Sequence, residues 1–368
     1  MKEAAQRQNG RVDFWLLSSA LFLVIFGLIA IYDASVVSAL RDFGDKFYFF
    51  KNQLIWSSLG VFALAFFSFF DYHKLLKLSP IFLFVCIFFL ILVLIPGIGT
   101  KIYGARRWIN IGSFNFQPSE ITKLALILYQ TAIMSKFENF RIRLSDILIV
   151  FFLPTLIATL LVFLEPDLGT AVIIVAVTII IYFVALAPIW HFLLAIPMIL
   201  SAGIIAIIFE PYRFSRLKSF LDPTHDPQGA SYQINQILTA ISRGGIFGVG
   251  IGQSRSKFAF IPEVQTDAIF AIVVEEIGFI GALFLISIFF FVFSRAINIA
   301  RTAKDFSGRL LALGLVSLIA VQTLFNIASN VALVPLTGIP LPFISYGGSS
   351  LIVMMSAIGI LINIKRQN

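Results

Sequence analysis

The sequence predicts an all-α integral membrane protein of ten transmembrane helices, on three observations. Hydrophobic residues make up 59% of the 368-residue chain and charged residues only 12%, a balance foreign to soluble domains. Apolar runs of about 18 residues or more recur along its length, each able to cross a hydrocarbon core of roughly 30 Å. The polar, glycine-rich and proline-rich segments gather in a few of the connections between those runs.

The runs fall at roughly 13–34, 52–70, 79–96, 118–135, 146–164, 168–187, 190–209, 267–294, 309–333 and 344–363. Ten is even, so both termini share one side. Outside the spans that side carries 14 Lys and Arg against 12 on the other, and six of the twelve lie in the long connection 210–266. Long loops count least in the positive-inside rule, so the termini are expected in the cytoplasm. Connections 97–117 and 210–266 and the turns 165–167 and 334–343 then all face outward. The expected organisation is one polytopic membrane domain, 1–368, with a large extracytoplasmic loop between spans seven and eight. Within that loop Ile234, Ile237, Leu238 and Ile241 have helical spacing, which predicts a helix lying on the membrane surface. No cleavable signal peptide is expected, because the first apolar run has span length and more spans follow.

Several function classes lose support here. A net charge of +8 suits topology and anionic head groups in a chain of spans, not nucleic acid. Cys86 is the only cysteine, so no intramolecular disulfide forms. The three histidines, His73, His191 and His225, are scattered without an HExxH spacing, which argues against zinc. There is no Walker A segment and no Gly-x-Ser-x-Gly elbow, so nucleotide chemistry is not expected.

Five polar stretches stand out. In "GARRWINIGSFNFQPSEITKLAL", Arg106 and Arg107 beside Trp108 suit a membrane interface. A helix starting at Pro118 puts Lys123 less than two turns in, where an unpaired ammonium is costly. It either pairs with Glu120, three residues earlier, or serves a substrate or a distant carboxylate. "FLEPDLGT" places Glu165 and Asp167 in a tight hairpin, where turn chemistry and solvation account for them. "RGGIFGVGIGQSRSKFAFIPE" has glycines whose amides can curl around a phosphate, with Arg255 and Lys257 to neutralise it; a flexible loop explains it as simply. "LVPLTGIPLPFISYGGSS" cannot be a continuous helix, and broken backbone near membrane depth needs protein or a wet cavity around it. Ser345, Tyr346 and Gly347 there can donate to an anion at the next helix start.

The fifth stretch, "IPEVQTDAIFAIVVEEIGFIGALFLISIFFF", sets Asp267 at the mouth of a span and Glu275 and Glu276 roughly 12–14 Å deeper. Asp267 or Thr266 could cap the helix. Ionised and accessible, Asp267 is also placed to take a proton from an incoming hydroxyl.

Taken in order, "GARRWINIG…FQPSE…K", "EPDLGT", "GVGIGQSRSKFAFIPEVQTD" with "EEIGFIGA", and "PLTGIPLPFISYGGSS" resemble the SEDS (FtsW/RodA) family of bacterial shape, elongation, division and sporulation proteins. The resemblance runs through nearly the whole chain and is nearer the division branch. It implies a peptidoglycan glycosyltransferase at the outer face of the cytoplasmic membrane, polymerising lipid II into a β-1,4 glycan with inversion and release of undecaprenyl pyrophosphate. Asp267 matches the essential aspartate of the "PE…TD" motif, which also contains Glu263 and Thr266. Lys123 would hold or tune it, and Glu120, Lys123, Glu263 and Thr266 count among the substrate-binding residues the resemblance implies. Arg106, Arg107, Arg255 and Lys257 would meet the diphosphate or the peptide stem, beside Trp108, Ser345, Tyr346 and Gly347, with a divalent cation (Mg or Mn) assisting departure. The implied partners are lipid II, the growing strand, a single-span class B penicillin-binding protein and other division or elongation proteins. Ala268 and Thr122 stand where the family usually has Phe and Ala. Two rival readings use the same features: a lipid II flippase, and a non-catalytic scaffold for the transpeptidase.

Overall fold

The computed structural model describes residues 12–102, 105–112, 114–136, 147–185, 187–222, 224, 226, 229, 231–258 and 264–368. Helices α1 (Phe14–Phe43), α2 (Tyr48–Phe69) and α3 (Tyr72–Leu94) lead into a three-stranded antiparallel sheet. Its strands are β1 (Gly99–Ile102), β2 (Ala105–Ile111) and β3 (Phe114–Phe116), in spatial order β1-β2-β3. Then come α4 (Pro118–Lys136), α5 (Leu153–Leu164, preceded by a π-helical turn), α6 (Leu168–Val184), α7 (Ile189–Ile208), α8 (Pro211–Leu221) and α9 (Tyr232–Gly244). The chain closes with α10 (Ile269–Thr302), α11 (Phe306–Asn330) and α12 (Gly348–Gln367).

Among the described residues seven helices are long and apolar enough to cross a membrane by length and composition: α1, α2, α3, α7, α10, α11 and α12. The apolar runs expected at 118–135, 146–164 and 168–187 are occupied by α4, α5 and α6, of 19, 12 and 17 residues. The chain is a mainly helical, multi-pass membrane protein. The small sheet in 99–116 is an addition to the all-α expectation: in "ARRWINI" like residues stand side by side at Arg106–Arg107 and Trp108–Ile109, so the strict alternation that announces a strand is missing.

The helices divide by how much protein covers them. The sequence of α12 has small residues (Ser349, Ser350, Ser356, Ala357, Gly359) on faces that meet neighbours, and it is buried nearly all round. Gly359 lets α2 approach so closely that a Cβ there would lie 2.5 Å from the Leu64 carbonyl oxygen, the close packing small residues permit between spans. Asn363 ties α12 to the α2–α3 connection, accepting from the Tyr72 N–H at 3.0 Å and donating to the Ser68 carbonyl at 3.1 Å. By contrast α7 buries only Phe192 and turns Leu193, Leu194, Met198 and Leu200 outward.

Helix α9 differs from expectation. Its Ile234 and Ile237, with Ala240, are buried, and the helix packs against α10. The apolar stripe that read as membrane-facing is a protein contact; periodicity gives the stripe and not its partner.

Candidate active site

Asp267 stands two residues before α10 begins. The N-cap position falls on Ala268, so Asp267 lies just outside the helix. Its main-chain carbonyl accepts from Asn326 Nδ2 at 3.0 Å and from Asn330 Nδ2 at 2.8 Å, both on α11. The Thr266 hydroxyl donates to its Oδ1 at 3.2 Å. Gly338, at φ 71, borders the carboxylate, and a Cβ there would come within 3.9 Å of Asp267 Oδ2. The residue is half-buried.

The mount for Asp267 belongs to a ladder of amides that sequence reading missed. Gln322, Asn326 and Asn330 follow one another at intervals of four on α11, and none is exposed. Asn326 Nδ2 also donates to the Ile339 carbonyl at 2.8 Å. Gln322 Nε2 donates to the Pro340 carbonyl at 3.1 Å and to Ser350 Oγ at 3.3 Å. One face of α11 therefore holds both Asp267 and the broken segment 331–347. The signal was available in "QTLFNIASN": three amides at helical spacing inside a span need polar partners.

The same ladder meets Lys123. Its Nζ donates to Gln322 Oε1 and to Glu120 Oε1, each at 2.8 Å, and lysine and glutamate are 2% and 3% exposed. Of the two ways to satisfy Lys123 inside the bundle, pairing with Glu120 is present. Glu120 Oε2 has no hydrogen bond.

Arg107 on β2 donates through Nε to the Glu165 carbonyl at 3.2 Å and through Nη2 to the Pro166 carbonyl. Strand pleating turns Arg106 and Trp108 to the opposite face, and both are half-buried. The two acids of the hairpin that Arg107 grips are not solvated. Asp167 caps α6, accepting from the Thr170 N–H at 3.1 Å and its hydroxyl at 2.9 Å, and takes Gln117 Nε2 at 3.3 Å. Glu165 is fully buried with neither carboxyl oxygen hydrogen-bonded. Burial, with Asp167 adding to it and Arg107 opposing, pushes its pKa up to about 9. The hairpin lies beneath segment 337–339: a Cβ on Gly169 would sit 2.9 Å from the Thr337 carbonyl oxygen.

Glu275 and Glu276 fasten the segment that leads to Asp267. Glu275 Oε2 accepts from the Ser254 hydroxyl at 2.5 Å and Oε1 from the Arg255 N–H at 3.3 Å. Glu276 Oε1 accepts from the Ser254 N–H at 3.2 Å and from Lys257 Nζ at 3.1 Å. Lys257 also pairs with Asp33 Oδ1 of α1 at 2.7 Å and bonds the Gly252 carbonyl at 2.8 Å. This corrects its assignment to the phosphate: Lys257 is 5% exposed and its ammonium is engaged by two carboxylates. Arg255 keeps an exposed side chain.

In 345–347 the Tyr346 and Gly347 amides are spent within the protein, while the Ser345 hydroxyl accepts a bond and keeps its own proton to donate. Ser345 Oγ accepts from the Leu341 N–H at 2.8 Å, the Tyr346 N–H donates to the Gln265 carbonyl at 2.9 Å, and the Gly347 N–H donates to Gln53 Oε1 at 3.3 Å. Those groups brace segment 264–267 against the start of α12. Glu263 and His225 lie outside the described residues.

The result is a carboxylate with a fixed main chain and a partly open side chain, at the end of the bundle where β2, the 165–169 hairpin and segment 331–347 converge. A carboxylate so held can take a proton from a hydroxyl brought to it.

Comparison with known proteins agrees in extent and order. The family model described as "Cell cycle protein", FtsW/RodA/SpoVE, matches residues 14–368. Stage V sporulation protein E of Bacillus subtilis (strain 168) is 42% identical over 96% of this chain and 97% of its own length. The probable peptidoglycan glycosyltransferase FtsW of Trichlorobacter lovleyi is 41% identical over 96% and 92%. Among solved structures, a chain described under "Structural coordination of polymerization and crosslinking by a peptidoglycan synthase complex" superposes with a TM-score of 0.78 at 27% identity, covering 96% of this chain and 98% of that one. The rod shape determining protein RodA of Thermus thermophilus gives a TM-score of 0.70 at 25% identity, over 96% and 97%. With its ordered motifs, its fold and these matches along almost its full length, the chain belongs to the FtsW/RodA/SpoVE family of cell cycle proteins.

Proposed function

We propose that this protein is a peptidoglycan glycosyltransferase of cell division that polymerises lipid II, with Asp267 as its general base. The observation that carries the role of Asp267 is its mounting: α11 grips the main-chain carbonyl through two amides, and the side chain stays half-open. In the reaction the acceptor's GlcNAc 4-hydroxyl gives its proton to the Asp267 carboxylate. Its oxygen bonds to the MurNAc anomeric carbon of the growing strand, and the bond from that carbon to the undecaprenyl diphosphate breaks. Attack opposite the leaving group turns an α-linked donor into a β-1,4 bond.

Arg106, Arg255 and Arg107 are the cations on this end of the bundle assigned to the diphosphate or the peptide stem, with Trp108 beside them. Among the described residues no group of three or more His, Cys, Asp or Glu could hold a metal. Asp267 is taken up as the base, on the face of the anomeric carbon opposite the departing diphosphate, so a Mg or Mn ion would be held by the substrate's own phosphates and water. Such an ion would draw charge from the departing diphosphate.

The proposed setting is the bacterial cytoplasmic membrane, with ten spans, cytoplasmic termini, an outward site and the long connection 210–266 outside. A class B penicillin-binding protein is the proposed partner, supported by the likeness to a chain of a peptidoglycan synthase complex. The test is glycan synthesis from lipid II by the purified pair with a divalent cation. Polymer from the native chain and none from a folded Asp267→Asn complex is expected. Polymer that persists in the variant removes Asp267 as base, and lipid II transport without polymer would favour a flippase.

A further inference from the structure

Helix α10 is broken at Gly278, which takes φ 69 and ψ −173 inside an otherwise continuous run. A break releases backbone donors and acceptors from the helical ladder, and at membrane depth these need protein partners. Segment 245–250 supplies four. The Val249 and Gly250 N–H groups donate to the Glu275 and Glu276 carbonyls at 2.9 and 3.1 Å. In return the Phe279 and Ile280 N–H groups donate to the Gly245 and Ile246 carbonyls at 2.9 and 3.2 Å. The fit demands glycine on both sides. A Cβ on Gly248 would lie 2.1 Å from the Glu276 carbonyl oxygen, and one on Gly278 would lie 2.3 Å from the Gly248 nitrogen. The glycine-rich stretch is thus fitted to a helix break, and the Val249 and Gly250 amides that a phosphate cradle would use are spent on α10.

The side chains of this segment point the other way. Ile246 is 61% exposed, Phe247 80%, Val249 41% and Ile251 77%. No ionisable residue lies between Arg243 and Arg255. So large an apolar patch on an aqueous loop would be out of place.

Two helices fix its depth. On α10, residues 268–276 are buried in protein, and the exposed apolar residues start at Phe279 and run through Leu283 and Phe284 to Phe291. Arg295 follows, paired at 2.7 Å with Asp13 at the start of α1. From that level a hydrocarbon core of roughly 30 Å takes about 20 residues. On α10 this count ends near Glu275; on α1 it ends near Asp33. Lys257 joins Asp33 to Glu276, the residue next to Glu275. The patch 246–251 therefore lies at the edge of the apolar zone on the Asp267 side, level with the first lipid-facing residues of α10.

We infer that residues 246–251 form a re-entrant membrane plug, with Ile246, Phe247, Val249 and Ile251 in contact with phospholipid acyl chains. Acyl chains are the occupant because the patch continues the exposed apolar bands of α10 and α1, where Phe22 meets Phe284 edge to face at 6.4 Å and Trp15 meets Phe291 at 6.3 Å. From the plug the chain passes through the Ser254 and Lys257 clamps to Asp267. The carboxylate is thereby tethered to the boundary of one leaflet.

The experiment uses the full chain in phospholipid vesicles. Cys86 is the only cysteine, so a Cys86→Ala background accepts one nitroxide at a time, at Phe247→Cys, Ile251→Cys, lipid-facing Phe284→Cys and exposed Lys101→Cys. Power saturation then compares accessibility to oxygen and to a water-soluble nickel chelate. Labels at 247 and 251 are expected to follow position 284, favouring oxygen. Preference for nickel, as at position 101, would overturn the plug, and low access to both would overturn it by showing that protein covers the patch. Gly248→Ala is expected to shift the label at 251 toward nickel, because the loop can no longer seat on α10.

Discussion

Asp267, just before α10, and Glu275 and Glu276, within it, are treated in opposite ways. At Asp267 the protein holds the main chain, through Asn326 and Asn330, and leaves the side chain half-open. At Glu275 and Glu276 it holds the side chains, through Ser254, the Arg255 amide and Lys257, and buries them. The first arrangement suits chemistry, which needs an ionised group that can reach a substrate proton. The second suits architecture, because a buried carboxylate is tolerable only when paired and hydrogen-bonded. The difference shows that acid content in a span says little until the partner of each oxygen is known.

The contrast breaks most sharply at Asp267. Asp267→Asn keeps the carbonyl that α11 grips and removes only the proposed base. Glycan synthesis is expected to fall by about 10²–10⁴-fold, with an unchanged melting profile in detergent. A matching loss of stability would place Asp267 with the architectural group. Next is Lys257→Met, which strands Asp33 and Glu276 without their cation. Breaking a buried pair from one side costs about 3–5 kcal/mol, so thermal unfolding in detergent should move down markedly. Adding Glu276→Gln should recover part of it, an outcome foreign to a phosphate-binding lysine.

Asn326→Ala sharpens the comparison from the other side. It leaves the Ile339 carbonyl without its amide and Asp267 with one holder, at a cost of about 1–3 kcal/mol. Turnover should fall more than substrate affinity, as measured by the dependence of polymer yield on lipid II concentration. The mildest test is Glu165→Gln. In the folded chain the Glu165 carboxyl titrates near 9, against an ordinary value of 4.5. Between those values the folded state holds a proton that the unfolded chain has released, so stability falls as pH rises through that window. The amide variant should flatten this part of the stability–pH curve, read by melting at pH 6 through 9.

Much of the fold and part of the site were legible in the sequence, and the division follows from physics. Apolar runs of span length announce themselves because a bilayer imposes a length, and Asp267 stood out as a charge at the mouth of one. The partner of a buried group is another matter. Lys257 and Asp33 are 224 positions apart, and Gln53 reaches Ser345 across 292. No local pattern links such pairs. For that reason Lys257 read as a free cation near a glycine loop, Asp167 as a solvated turn acid instead of a cap, and the stripe on α9 as a membrane face. The amide ladder on α11 was readable in principle, by the spacing of four between Gln322, Asn326 and Asn330.

The burial of α12 bears on how the molecule is made. Its contacts reach back to Ser68, 295 positions earlier, so α2 must wait in the bilayer with the groups that Asn363 satisfies still unmatched until α12 itself has left the ribosome. Assembly of the centre is therefore a late event in biosynthesis, governed by the arrival of one helix. A nascent chain stalled before Gly348 would present membrane quality control with inserted spans lacking their common partner.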